Sequence, residues 1–359
     1  MAQIHVYFQL MLDHGASDLH LSTNNVPSLR INGELQRTEA PPLEDEQLKE
    51  LLFEICPEDK RHQFEETGDV DFGYEYEDKA RFRVNFFNQK YGIAAVFRTI
   101  PSKVLTMQDL GLPSSFEKFA KLKRGLILVT GPTGSGKSTT LAAIIDYANK
   151  TRADHILTIE DPVEFVHQSH MALVNHREVG LHTKSFGAAL RGALREDPDI
   201  ILVGEMRDLE TITLALEAAM TGHLVFGTLH TPNAAKTIDR VIDVFPANQQ
   251  NQIRSSLSDS LKGVIAQNLF RRVDKPGRIA ALEVLVVDTS ISNLIREGKI
   301  HQIPGMIEVG KKKGNIPLDD AIFEHLQSGK ISEEESFEKC INKTRFLPFL
   351  KREPEPWEL

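Results

Sequence analysis

Leu126-Ile127-Leu128-Val129-Thr130-Gly131-Pro132-Thr133-Gly134-Ser135-Gly136-Lys137-Ser138 is the stretch on which the fold turns. An apolar, strand-like run passes directly into G-x-x-x-x-G-K-[ST], the pattern of a phosphate-binding loop that opens a helix. The glycines let the backbone curl so that successive N–H groups face phosphate oxygens, Lys137 reaches the terminal phosphates, and the Ser138 hydroxyl suits magnesium. A helix from Lys137 to about Asn149 adds its positive N-terminal end. Gly131, Pro132, Thr133, Gly134, Ser135, Gly136, Lys137, Ser138 and Thr139 are therefore the candidate nucleotide-binding set, with ATP and Mg2+ as the expected ligands. GTP is disfavoured, because Asn149-Lys150-Thr151-Arg152 and Asn342-Lys343-Thr344-Arg345 both lack the acid that closes a guanine-reading Asn-Lys-x-Asp.

Outward from the loop, apolar segments at 126–129, 156–159, 200–203 and 224–228 alternate with helical ones at 137–149, around 186–195 and at 209–221. Short β-branched strands separated by helices predict an α/β domain with a parallel sheet covered on both faces. Beyond Gln249 the pattern reads as mainly helical, broken by a strand from Ile279 to Val287.

The first hundred residues read differently. A helix from Ile4 to Leu12 precedes an alternating stretch, Ser28 to Leu35, with Asn32-Gly33 at its centre as in a tight hairpin. A three-strand meander follows at 71–76, 80–87 and 93–99, with polar turns at Glu77-Asp78-Lys79 and Asn88-Gln89-Lys90. In its middle strand Ala80, Phe82, Val84 and Phe86 alternate with Arg81, Arg83 and Asn85, so one face packs and the other presents arginines. Residues 1–100 thus form a small α+β domain, 101–120 a linker, 121–345 the nucleotide-binding domain with a helical C-terminal part, and 346–359 a loose tail.

Composition excludes several classes. With 41% hydrophobic and 26% charged residues, the 359-residue chain is ordinary for a globular protein. Its apolar runs are too short for a membrane-spanning helix and its start lacks the basic region of a signal peptide, so a cytoplasmic location is expected. A net charge of −9 argues against nonspecific nucleic-acid binding, which depends on Lys and Arg. Two cysteines, Cys56 and Cys340, supply neither a zinc half-site nor a disulfide framework.

Triphosphate hydrolysis needs acids near magnesium, a group acting on water, and a cation for the developing charge. Thr158-Ile159-Glu160-Asp161-Pro162-Val163-Glu164-Phe165 ends one predicted strand with three acids, at the edge where doubly wound sheets bind ligands. Another strand ends in Gly204-Glu205, where a Walker-B strand usually ends in Asp. His223 and His230 bracket a third strand and could reach the terminal phosphate from its two ends. Arg195 and Arg207 are further cations, Arg207 lying beside Asp208. Arg81, Arg83 and Arg98 could reach a phosphate held by another domain or subunit.

The phosphate loop, the acidic box 158–165, the segment from Asp197 to Asp208 and the histidine box 221–231 together resemble the secretion ATPase superfamily. The chain is most similar to its PilT-like type IV pilus retraction ATPases, and Gly15-Ala16-Ser17-Asp18-Leu19-His20-Leu21 and Ala80-Arg81-Phe82-Arg83-Val84-Asn85 match as well. The resemblance implies a homohexamer with a PAS-like N-terminal domain and a RecA-like ATPase domain. Catalytic roles fall by the same resemblance on Glu164 as the base activating water, Glu205 holding magnesium through water together with Ser138, His223 and His230 sensing the γ-phosphate, and Arg81, Arg83 or Arg98 completing a neighbour's site. It further implies a motor whose domain movements act on an inner-membrane pilus platform protein, and indirectly on pilin, from the cytoplasmic face of the pilus base, with no nucleic-acid partner. One departure stands out: Thr289-Ser290-Ile291-Ser292-Asn293-Leu294-Ile295-Arg296-Glu297 lacks the arginine of the family's Ala-Ile-Arg segment, which leaves an accessory pilus motor as an alternative. A RecA-like nucleic-acid translocase is the other.

Overall fold

The computed structural model describes residues 2–31, 33–77, 79–100 and 104–358. The chain divides into two units, Met1–Lys103 with Pro162–Val166, and Val104–Asp161 with His167–Leu359. Asn32 of the expected hairpin turn, Asp78 of the meander turn and residues 101–103 of the expected linker lie outside the described residues.

In the first unit, strands β1 (Asp18–Ser22), β2 (Ser28–Ile31), β3 (Glu34–Arg37), β4 (Asp69–Tyr76), β5 (Ala80–Gln89) and β6 (Gly92–Ile100) form one antiparallel sheet in the order β3-β2-β1-β6-β5-β4. Its apolar face is lined by Phe82, Val84, Phe86 and Phe97, all fully buried. Helix α1 (His5–Asp13) lays Phe8 on this face, its ring stacked 4.5 Å from that of Phe82. Two helices that the sequence reading overlooked, α2 (Asp45–Phe53) and α3 (Glu58–Thr67), also pack here. α3 is dominated by charged residues and buries only Phe64, so its helical periodicity is weak, whereas α2 buries Leu48, Leu51 and Leu52 at helical spacing behind a capping box of Glu44 and Gln47, a signal that was legible in the sequence.

The second unit opens with α4 (Ser115–Ala120), within the expected linker, and β7 (Gly125–Thr130), which leads into the phosphate loop and α5 (Lys137–Thr151). There follow β8 (His155–Glu160), β9 (Leu173–Glu178), α6 (Phe186–Ala193), β10 (Ile200–Val203), α7 (Leu209–Thr221), β11 (Leu224–Leu229), α8 (Ala234–Asp243), α9 (Gln250–Ser260), β12 (Leu261–Arg271), β13 (Arg278–Val286) and α10 (Thr289–Arg296). The sheet order is β13-β12-β7-β11-β10-β8-β9, parallel except for the β12–β13 hairpin.

Alternate residues of β7 supply both faces of this sheet. Leu126 and Leu128 join Ile212, Ala215 and Leu216 of α7, whereas Ile127 and Val129 join Leu141, Ile144 and Ile145 of α5. Burial on both sides is why β7, β10 and β11 read as continuous apolar runs.

One expectation is corrected: residues 261–271, read as helical, are the strand β12 beside β7. In the tail Lys351 pairs with Glu333 at 2.7 Å, and Arg352 with Glu334 and Glu358.

Candidate functional site

Gly131, Gly134 and Gly136 have φ of 139°, 77° and 87°, so the chain between β7 and α5 curls as only glycine readily allows. Pro132, Thr133 and Gly134 are exposed, while the root of the loop at Gly131 and Ser135 is buried. Lys137 Nζ donates to the carbonyls of Gly131 and Pro132 at 2.9 and 3.1 Å, so the cation already spans the loop. The Ser135 hydroxyl is buried with no hydrogen-bond partner among the described residues, as a donor awaiting an anion would be. Ser138 and Thr139 open α5, half-buried.

Parallel register places the other groups. β7, β11 and β10 run side by side, with Thr130 opposite Leu229 and Val203 opposite Gly227. His230 and Glu205 therefore emerge at the same carboxyl edge of the sheet as the phosphate loop. They touch: His230 Nε2 lies 3.1 Å from Glu205 Oε1, and Arg207 forms an ion pair with the same oxygen. Partial burial pushes the Glu205 carboxyl up, but the hydrogen bond and charge of Arg207 and the nearby His230 outweigh it and hold the group below its ordinary value. Asp208 instead caps α7, accepting from Thr211 N at 2.8 Å.

His223 is brought elsewhere. It precedes the first residue of β11, whose partner in β7 is Gly125, and its Nδ1 contacts the Ala218 carbonyl at 3.0 Å. Seven residues of extended chain span about 20 Å, so within one subunit His223 stands at the sheet edge opposite the phosphate loop. The expectation that both histidines approach one terminal phosphate is not met by this geometry.

The acidic box is divided. Glu160 ends β8, buried at the carboxyl edge against Gly204, whose added Cβ would stand 3.1 Å from Glu160 Cα. Asp161 is exposed. Glu164, half-buried, falls in the segment Pro162–Val166 of the first unit.

In that unit the arginines share the polar face, with Arg83 directly opposite Arg98. Such like-charge neighbours need counter-ions, and each has one. Arg83 Nε lies 3.1 Å from Asp71, Arg98 Nε 2.8 Å from Asp18, and Arg81 Nε 3.6 Å from Glu75. Arg98 is 64% exposed, Arg83 45% and Arg81 17%.

One residue of this site escaped the sequence reading. Gln267 of β12, 3% exposed, donates from Nε2 to the Ser135 carbonyl at 2.6 Å and accepts from Thr140 Oγ1 at 2.8 Å. A polar residue following Val264-Ile265-Ala266 was the available signal. Behind the histidine box, Glu283 of β13 accepts from Ala234 N at 2.7 Å and so anchors the start of α8.

A hydroxyl at the start of α5 and a carboxylate at the end of β10 are hard oxygen donors suited to Mg2+. Among the described residues no cluster of three or more His, Cys, Asp or Glu could hold a metal by itself. Such a donor set fits an ion that arrives with phosphates and keeps part of its water. No described helix is long and apolar enough to cross a membrane.

Known proteins resemble this chain over most of its length. The PilT type IV pilus retraction ATPase of Pseudomonas aeruginosa is 56% identical over 326 residues, covering 91% of this chain and 94% of that protein. The PilU type IV pilus ATPase of the same organism is 38% identical over 328 residues, covering 91% and 86%. A crystal structure of the pilus retraction motor PilT with bound ADP matches at a TM-score of 0.88 and 43% identity, covering 96% of this chain and 98% of that one. The type II/IV secretion system protein family matches residues 2–290 as well, and with a complete phosphate loop at the carboxyl edge of its sheet, the chain belongs to that family.

Proposed function

We propose that this chain is an ATP-hydrolysing motor that powers type IV pilus retraction. The observation that carries the reading is identity of 56% with PilT across nine-tenths of the chain, against 38% with PilU over the same share. Greater identity with a protein named for retraction than with a second type IV pilus ATPase favours the retraction motor, despite Ser290-Ile291-Ser292.

In this reading the loop amides and Lys137 bind the phosphates of ATP, and Ser138 and Glu205 hold Mg2+. The ion supplies charge neutralisation on the phosphate oxygens. Glu164 takes the proton from the attacking water, and His230, held by Glu205, senses the γ-phosphate. Arg81, Arg83 and Arg98 remain alternatives for the cation that completes a neighbour's site. Each would have to leave a carboxylate; Asp18, although buried, would keep Arg30 at 3.9 Å and the Ser17 hydroxyl at 2.7 Å if Arg98 left it. The antiparallel order β2-β1-β6-β5-β4 supports a PAS-like first unit. A homohexamer acting on an inner-membrane platform protein, and through it on pilin, completes the proposal.

The test is Mg-dependent ATP turnover by the purified protein while single-stranded DNA is titrated from zero to excess. Turnover indifferent to DNA is expected, and a many-fold stimulation would move the reading to a nucleic-acid translocase. Glu164→Gln should keep ATP binding and lose turnover; substantial residual hydrolysis would show that the base is another residue.

A further inference from the structure

Gln267 is wrapped by the phosphate loop. Its backbone oxygen lies 2.2 Å from where a Cβ on Gly131 would stand, and its Nε2 lies 2.8 Å from where one on Gly136 would stand. The first and last glycines of the loop therefore both abut this residue. Its amide meanwhile binds the Ser135 carbonyl on one side and the Thr140 hydroxyl, in the first turn of α5, on the other.

In a trans peptide the carbonyl and the next N–H point in opposite directions within one rigid unit. Drawing the Ser135 carbonyl toward Gln267 therefore turns the Gly136 N–H away from β12. Glycine at Gly136 would otherwise let this peptide rotate with little steric resistance. We propose that Gln267 is a positioning residue for the nucleotide: by holding the Ser135 carbonyl and the Thr140 hydroxyl, it orients the Gly136 amide for the β-phosphate.

This rests on the reading that the loop binds phosphates, and the experiment separates the two. MgADP and AMP affinities are measured by calorimetry on the full-length wild type and on Gln267→Leu, beside their melting temperatures. If the wild type fails to bind MgADP, the functional reading falls, and this inference with it.

If the wild type binds, Gln267→Leu should weaken MgADP by about 10- to 100-fold, the range for leaving a buried polar group without its partner. AMP, which lacks the β-phosphate, should change by less than about 2-fold. MgADP affinity within about 2-fold of wild type, with only the melting temperature lowered, would reduce Gln267 to a core residue and overturn the proposal. Equal losses for ADP and AMP would do the same.

Gln267→Glu supplies a second readout, and decides alone if the leucine variant does not fold. An ionised carboxylate cannot donate to the Ser135 carbonyl, whereas a protonated one can. The deficit in MgADP affinity relative to wild type at the same pH should therefore shrink as pH falls from 8 to 5.5. A deficit independent of pH, or no deficit at all, would overturn the proposal.

Discussion

Replacing Gly131 with alanine should destabilise the second unit far more than the same change at Gly134. Both glycines have positive φ, 139° and 77°, which costs an L-residue about 1–2 kcal/mol. Their surroundings differ. A Cβ at Gly131 would stand 2.2 Å from the Gln267 carbonyl oxygen and 2.8 Å from Ser135 Oγ, whereas one at Gly134 would meet nothing within 4 Å. The close contact at Gly131 is with strand backbone, which cannot swing aside, so overpacking adds about 1–3 kcal/mol. Less the about 0.4–1 kcal/mol that alanine returns by stiffening the unfolded chain, the expected loss for Gly131→Ala is about 1–5 kcal/mol, or about 2–20 °C at about 2–4 °C per kcal/mol. For Gly134→Ala the strain is partly offset by about 0.4–1 kcal/mol from a stiffer unfolded chain. A net loss of about 1 kcal/mol should remain, or about 2–4 °C. Differential scanning calorimetry of the two variants without nucleotide reads this directly. Melting within about 2 °C of each other would refute the reasoning, since it would mean that the loop is not seated against β12.

Lys137→Ala should leave the melting temperature without nucleotide within a few degrees of wild type but abolish the rise on adding MgATP. That rise corresponds to about 2.7 kcal/mol when ligand is at a hundred times its dissociation constant, and an undiminished rise would disprove the role of Lys137. Burial pushes the Glu283 carboxyl above its ordinary range, although the Ala234 N–H draws it back in part. For a carboxyl raised on folding, stability is full below the unfolded value and is lost as pH rises through the folded one. An amide side chain cannot ionise, so Glu283→Gln should gain stability relative to wild type between pH 4 and pH 8 in urea melts, and a flat or opposite trend would contradict this. Burial, with His176 beside it, lowers His167 to about 4, so its imidazole is neutral at physiological pH. The stability this residue contributes is present above the ordinary histidine value and lost as pH falls through about 4. Its ring protons should show no titration by NMR between pH 6 and 8, and a midpoint near 6.5 would show that it is exposed.

Much of the second unit was legible along the chain, because its chemistry is written in contiguous segments. A phosphate loop binds through consecutive backbone amides, so Gly131 to Ser138 carry their meaning in order. Strands buried on both faces, such as Leu126 to Val129 and Ile200 to Val203, announce themselves as apolar runs between helices. The alternation of Ala80, Phe82, Val84 and Phe86 with Arg81, Arg83 and Asn85 likewise needs only a two-residue period.

What the chain order could not tell was decided by long-range register. His223 and His230 look equivalent in sequence, yet β11 lies between them and sends only His230 to the edge shared with the loop. Leu261 to Arg271 is ambiguous as a short apolar segment, and becomes a strand because β7 offers it a hydrogen-bonding edge and Phe119 packs where Gly263 has no side chain. Arg207 meets Glu205, rather than merely flanking Asp208, because the end of β10 and the cap of α7 point the two acids apart. Gln267 is 132 residues from Ser135. Local propensity carries no information across such a separation, and only the pairing of β12 with β7 makes that glutamine part of the phosphate site.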